Sequence, residues 1–267
     1  MKKIEKLRLL LRYPRRIIYN GILSFNEELF RSRIKEKYGL EQLPTIDITE
    51  IIPNLQEEIS TYSFLEGTAL ITDIILLKSL ARGYNNCTYL EIGSWRGESI
   101  VNVSEAAENC ISITLSEDEL RQMNFSEDIV KVHGVFSNNV KNIRTIKHNS
   151  QTYDFTKLKE RFDLIFIDGD HSYPGVLSDT RQVFNLRKNS GSVIVWHDYG
   201  YSTERVKPSV LAAILDGIPV DKHCNLYHVS NTMCAIYIEN QKFKTYYTKF
   251  PTYPDKKFSI KVIAYKI

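Results

Sequence analysis

The stretch Thr88-Tyr89-Leu90-Glu91-Ile92-Gly93-Ser94-Trp95-Arg96-Gly97-Glu98-Ser99 decides how this chain is read. An apolar run over Thr88–Ile92 reads as a strand, two glycines follow, and Glu98 opens a helical pattern over 98–107. Glycines at such a junction let the backbone turn tightly and approach a ligand. The first turn of the following helix also offers unpaired N–H groups. The spacing is E-x-G-x-x-x-G, not the G-x-G-x-x-G that holds a dinucleotide pyrophosphate. A carboxylate at Glu91 suits a cationic or hydroxyl-bearing ligand better than a phosphate. The same residues also fit a plain strand–turn–helix whose glycines serve geometry alone.

Downstream the pattern repeats. Short apolar runs over 111–115, 143–147, 164–167 and 193–196 alternate with helix-length segments, including 176–186. Strands that read as continuous apolar runs belong to a parallel sheet buried on both faces. Pro208 then opens a helix closed by Gly217, and 226–229 with 233–238 predict a hairpin across Ser230-Asn231-Thr232. Upstream, Leu70, Ile71, Ile74, Ile75, Leu77 and Ala81 recur at helical spacing. They predict a helix over 68–81, capped by Thr68 and ended by Gly83. A basic helix over 2–12 is expected to stop near Pro14, and a second helix covers 26–37. Residues 40–63, punctuated by Pro44 and Pro53, read as a connection. The expected architecture is α/β: a doubly wound, mostly parallel sheet ending in an antiparallel hairpin, with an N-terminal helical extension. The division is 1–63 basic extension, 64–240 main domain and 241–267 tail.

The composition is that of an ordinary globular chain of 267 residues, with 43% hydrophobic and 25% charged residues. A net charge of +3 is too balanced for a protein that coats DNA, and no nucleic-acid partner is expected. The charge is uneven, however. Residues 1–23 carry seven cations against Glu5, a net of +6, which leaves −3 for the remainder. Ile4, Leu7, Leu10 and Leu11 among those cations suit peripheral contact with anionic lipid, a core-packing helix with a solvated basic face, or a contact between copies in a homo-oligomer. No run reaches the ~20 apolar residues of a membrane span. Leu9-Leu10-Leu11 is bracketed by Arg8 and Arg12, unlike a signal peptide. Cys87, Cys110, Cys224 and Cys234 lack C-x-x-C spacing and read as reduced core residues, which favours a cytoplasmic protein.

The most informative segment is Asp163-Leu164-Ile165-Phe166-Ile167-Asp168-Gly169-Asp170-His171-Ser172-Tyr173, where an apolar strand ends in a charged cluster. One strand later, Val193-Ile194-Val195-Trp196-His197-Asp198 delivers a second cluster to the same sheet edge. Carboxylates and imidazoles converging there suit three tasks. They can hold a hard divalent cation, take a proton from a bound hydroxyl, or cap strand and helix ends, as Asp170 or Ser172 can for the next helix.

The glycine turn resembles motif I of class I S-adenosylmethionine-dependent methyltransferases. The resemblance implies a Rossmann-like fold and cofactor contacts from Glu91, Gly93, Ser94, Gly97 and Ser99. The charged strand ends resemble the catechol O-methyltransferase-like and macrocin O-methyltransferase-like branch. Carried over by position, Asp168, His197 and Asp198 fall on the ligands of a divalent ion such as Mg²⁺, with Asp168 also beside the cofactor. His171 falls on the general base, with His197 as its substitute, and Asp170 is either a ligand or the residue that orients His171. Thr114 falls where many members carry the acidic residue that binds the cofactor ribose. Asn149-Ser150-Gln151 resembles an adenine-contacting segment, with Ser150 as the contact. The implied activity is methyl transfer from S-adenosylmethionine to a hydroxyl of a small-molecule acceptor, such as a sugar or secondary metabolite. Tyr153, Tyr173, Tyr199 and Tyr201, near the sheet edge, read either as a wall for a ring-bearing acceptor or as packing residues. A metal-dependent hydrolase and a non-catalytic binding module on the same fold are the alternatives.

Overall fold

A computed structural model describes residues 14–266, with side chains from residue 22 onward. Its frame is a nine-stranded sheet in the order β11-β1-β9-β10-β6-β5-β2-β3-β4. The central strands are β2 (Thr88–Ile92), β3 (Asn109–Thr114), β4 (Ile143–Lys147), β5 (Leu164–Ile167) and β6 (Val193–Trp196), all mutually parallel. The hairpin of β9 (Leu226–Val229) and β10 (Ala235–Tyr237) follows antiparallel to β6. Beyond it, β1 (Thr45–Ile46) pairs parallel with β9, and β11 (Thr245–Tyr246) closes the edge antiparallel to β1.

The apolar strands β5 and β6 have both faces covered, as their uninterrupted hydrophobicity demands. Leu90, Ile92, Ile165, Ile167, Ile194 and Trp196 point to one face. There they pack under α1 (Pro14–Tyr38), α7 (Tyr173–Phe184) and α8 (Pro208–Gly217). Tyr89, Leu164, Phe166, Val193 and Val195 point to the other, against α3 (Ile71–Arg82) and α4 (Glu98–Ser104). The fold is therefore the doubly wound, Rossmann-like α/β sheet expected. Strand order reverses at β2, which lies between β5 and β3, and in open α/β sheets ligands bind beyond the carboxyl ends of the strands at such a point.

Several local expectations are corrected. The helix at 68–81 starts at Ile71, because Asp73 Oδ2 accepts the Leu70 N–H at 2.9 Å and caps the helix from inside. Thr68 instead turns its hydroxyl to Glu98, 3.2 Å away. The helix at 26–37 belongs to the 25-residue α1, whose first residue, Pro14, gives up an N–H that would be unpaired there anyway. The expected helix over 2–12 lies outside the described residues. The 40–63 connection contains β1 and the short helix α2 (Ile48–Ile51), and β1 carries the sheet past its hairpin. After β3 come two short helices, α5 (Glu117–Gln122) and α6 (Glu127–Val132), capped by Ser116 and Ser126. A small hairpin of β7 (Gly200–Ser202) and β8 (Arg205–Val206) joins β6 to α8. Cys224 is exposed, whereas the other three cysteines are buried.

Helix α1 is fastened at both ends of α8. Glu27 accepts from Ser209 N (2.9 Å) and Ser209 Oγ (2.6 Å) at the start of α8. At its end, Asp216 accepts from Arg33 (2.5 Å), Lys37 (2.6 Å) and the hydroxyls of Tyr38 (2.5 Å) and Tyr173 (2.8 Å). Partial burial raises the Asp216 carboxyl, but these donors outweigh it and hold the group down at about 2.

Candidate active site

The site begins at the glycine turn. Gly93 has φ +84°, and a Cβ there would stand 2.2 Å from the carbonyl oxygen of Asp168. Only glycine lets the ends of β2 and β5 close to this distance, where Asp168 N donates to Ile92 O at 2.8 Å. Gly97, at φ +89°, leaves room for Ser137, whose Oγ would lie 2.7 Å from a Cβ. Glu91 is fully buried beneath the turn. It accepts from Tyr89 Oη (2.7 Å) and Ser99 Oγ (2.9 Å). Burial pushes its carboxyl up to about 8, against the pull of those hydroxyls.

Two segments brace the turn. Arg96 Nη2 donates to Glu66 O (2.9 Å) and Thr68 Oγ1 (2.7 Å), tying down the loop before α3. On the other side, Gly134 N donates to Trp95 O (2.7 Å) and Phe136 N to Arg96 O (2.9 Å). Thr114 donates its hydroxyl proton to Ser94 O at 3.1 Å. His133 Nε2, also 3.1 Å away, therefore donates to Thr114. The hydroxyl expected to meet a ribose is thus engaged within the protein. The Oγ of Ser94 is buried without a partner.

The charged strand ends meet. His197 Nδ1 lies 2.9 Å from Asp168 Oδ1 and 3.3 Å from Asp198 Oδ1, at ion-pair distance but out of line for a hydrogen bond. Its Nε2 is 3.1 Å from Asp73 Oδ2. Burial opposes charge on this ring, but Asp168 and Asp73 prevail and raise its pKa well above 6.5. His171 Nδ1 lies 3.1 Å from Asp198 Oδ2, and the ring is half exposed at the rim. Asp198 reaches both histidines from a left-handed backbone, φ +53°, a conformation that Asp adopts more readily than most non-glycine residues.

Other expected residues take different places. Asp170 accepts from Ser172 N (2.9 Å) and Ser172 Oγ (2.8 Å), so it shapes the entry to α7 rather than orienting His171. Ser150 and Gln151 lie against buried Asp179, whose Oδ1 accepts from Gln151 Nε2 at 2.9 Å. Tyr199 is a core residue whose hydroxyl accepts from Leu43 N at 2.9 Å, so it does not line a ligand wall. Among the described residues, no group of three or more His, Cys, Asp or Glu side chains stands ready for a metal ion. Asp168, His197 and Asp198 do not fit one as they are arranged, because the His197 ring already stands between the carboxylates, 2.9 Å from Asp168 and 3.3 Å from Asp198.

Sequence reasoning missed Asp73, a fully buried carboxylate that ties three elements together. Besides Leu70 N and His197, it accepts from Met233 N in the β9–β10 turn at 2.9 Å. Its one signal was an acidic residue inside an apolar helical run. His133 and Asp179 were also missed. Two cavities, of about 510 and 300 Å³, lie away from this cluster. One is at the amino ends of β2, β3 and β4, and the other is between the β7–β8 loop and the tail.

A family model described as a methyltransferase domain matches residues 90–199, which span the glycine turn and both charged strand ends. An uncharacterized protein of Acanthamoeba polyphaga mimivirus is 30% identical over 149 residues, 52% of this chain; the chain spans 63% of that relative's length. Cofactor-bound Rv0187 from MTB has a similar structure, with TM-score 0.46, 17% identity and coverage of 67% of this chain and 84% of that one. SAH-bound methyltransferase PaMTH1 of Podospora anserina gives TM-score 0.42 and 16% identity, over 65% and 80% of the two chains.

Proposed function

We propose that this chain, whose residues 90–199 match a methyltransferase-domain model, is a class I methyltransferase that transfers a methyl group from S-adenosylmethionine to a hydroxyl oxygen of a small-molecule acceptor. The observation that carries the reading is the direct apposition of the glycine turn and the charged strand ends, through the contact of Gly93 with Asp168. The turn also fits the cofactor. Ser94 Oγ is a buried polar atom awaiting a partner, and Glu91 is a buried carboxyl that a cationic ligand would re-ionise. Glu91, Gly93, Ser94, Gly97 and Ser99 would hold it. When bound, it supplies a methyl group already activated on a sulfonium.

His171 then acts as general base. Asp198 beside Nδ1 favours the tautomer that carries its proton there, which leaves Nε2 to take the acceptor's hydroxyl proton. The same carboxylate stabilises the imidazolium that results. A base so placed contributes roughly 10²–10⁴-fold. His197, charged and buried between Asp73 and Asp168, fixes the Asp168 carboxylate at the junction with the turn and is not itself the base. Titration of the protein with S-adenosylhomocysteine by calorimetry tests the reading. Saturable binding is expected, and its absence at high micromolar ligand overturns the proposal. His171→Asn should leave that binding unchanged and lower turnover by about 10²-fold or more.

A further inference from the structure

Among the described residues, two of the exposed apolar sets lie in or next to basic segments of the chain. On α1, Ile22, Leu23, Phe25 (63% exposed) and Leu29 face outward within about two helical turns. Residues 247–266 form neither helix nor strand, and they expose Phe250, Tyr253, Ile260, Val262, Ile263 and Tyr265 (79% exposed). Exposed apolar groups gathered in this way mark an interaction surface.

The two surfaces flank one feature, the β7–β8 hairpin. Helix α1 meets the chain just after it, where Glu27 accepts from Ser209 N at 2.9 Å. The tail reaches it twice: Arg205 lies over the Phe250 ring, 3.9 Å from its centroid, and Thr252 N donates to Glu204 at 2.6 Å.

Charge identifies the occupant. Residues 241–267 hold seven lysines against Asp255 alone, a net of +6, which equals the net charge of residues 1–23. The 217 residues between them therefore sum to −9. Lysines 257, 261 and 266 are exposed and interleave with the exposed aliphatic and aromatic residues of the tail. Apolar side chains set among lysines are suited to the boundary between headgroups and acyl chains, where long cationic stems also reach the phosphates. A second copy trading its tail for this helix would instead bring two positive segments together.

We propose that helix α1 and the tail form a single docking face for an anionic phospholipid surface, holding the protein peripherally. No helix among the described residues is long and apolar enough to cross a membrane.

Co-sedimentation of the full chain tests this, using phosphatidylcholine vesicles with and without phosphatidylglycerol. Binding to the anionic vesicles alone, weakened at least tenfold by raised salt, is expected. The triple variant Lys257→Glu, Lys261→Glu, Lys266→Glu should lose it, as should Phe25→Asp with Leu29→Asp. All five positions are exposed, and circular dichroism will establish that the variants fold. Three results would overturn the proposal: equal binding to both vesicle types, absence of binding, or both variants binding like the wild type. Light scattering supplies a fourth. A stable dimer that the tail variant splits would mean that a second copy covers the surface.

Discussion

Replacing Gly93 by alanine tests the junction on which the site depends. The new methyl carbon would stand 2.2 Å from Asp168 O and 2.5 Å from both Asp168 C and Gly169 Cα. Three backbone atoms at this distance cannot be relieved by a rotamer change. The ends of β2 and β5 must separate by roughly 1 Å to restore ordinary contact. The left-handed conformation costs alanine about 1–2 kcal/mol. Weakening of the Asp168 N to Ile92 O bond, now 2.8 Å, costs about 1 kcal/mol more. A loss of about 3 kcal/mol in unfolding free energy is therefore expected, measurable by urea denaturation. A shift of about 1 Å at the reacting groups costs about 10²-fold in rate. Gly169→Ala is the matched control. Its Cβ would meet Asp179 Oδ2 at 3.3 Å, with Ile92 Cγ2 and O at ordinary contact (3.5 and 3.8 Å), and its backbone lies outside the left-handed region. It should lose less than about 1 kcal/mol, because one side-chain atom can shift. If Gly93→Ala unfolds at the same urea concentration as the wild type, or if the two variants behave alike, the close approach does not govern the site.

Asp73→Ala removes a buried carboxylate from three elements at once. It should cost about 3–5 kcal/mol by thermal or chemical denaturation, and a loss under about 1 kcal/mol would contradict the hub. Asp216 has a folded pKa held below its ordinary 3.8, so its stabilising contribution is complete above that value and is lost as pH falls towards about 2. Acid titration of Asp216→Asn followed by circular dichroism should therefore differ from the wild type above pH 4 and converge with it below. A constant difference at all pH values would refute the assignment. Thermal shift with Mg²⁺ should be flat, because an ion at Asp168 and Asp198 must first displace charged His197. A saturable rise abolished by Asp168→Ala would show that it does so.

The sheet was legible where local pattern and tertiary demand coincide. Strands β2, β5 and β6 are apolar on both faces because helices cover both faces, and they lie where the sequence places them. The two-residue strands β1 and β11 carry no such pattern, since so short a strand is defined by its partner rather than by periodicity. The site divides in the same way. Gly93, Glu91, Asp168, His171, His197 and Asp198 were legible because each follows an apolar run at a strand end or lies within it. Asp73 was not, because it lies about 120 residues from His197 and its side chain serves both a helix cap and a strand tip. The role of Asp170 was ambiguous for a related reason: an Asp-x-Ser sequence serves an Asx turn as well as a cluster, and only coordinates separate the two.

The outer edge of the sheet has an implication for synthesis. Strand β1 leaves the ribosome long before its two neighbours, β9, some 180 residues later, and β11, some 200 later. Until they emerge, Thr45 and Ile46 have no ladder, and α1 has no α8 to grip at Ser209 and Asp216. Closing loops of that size is slow compared with forming local helices. The nascent chain can therefore assemble its central parallel strands while both flanks stay open, and the flanks close only once β9, α8 and β11 have been made.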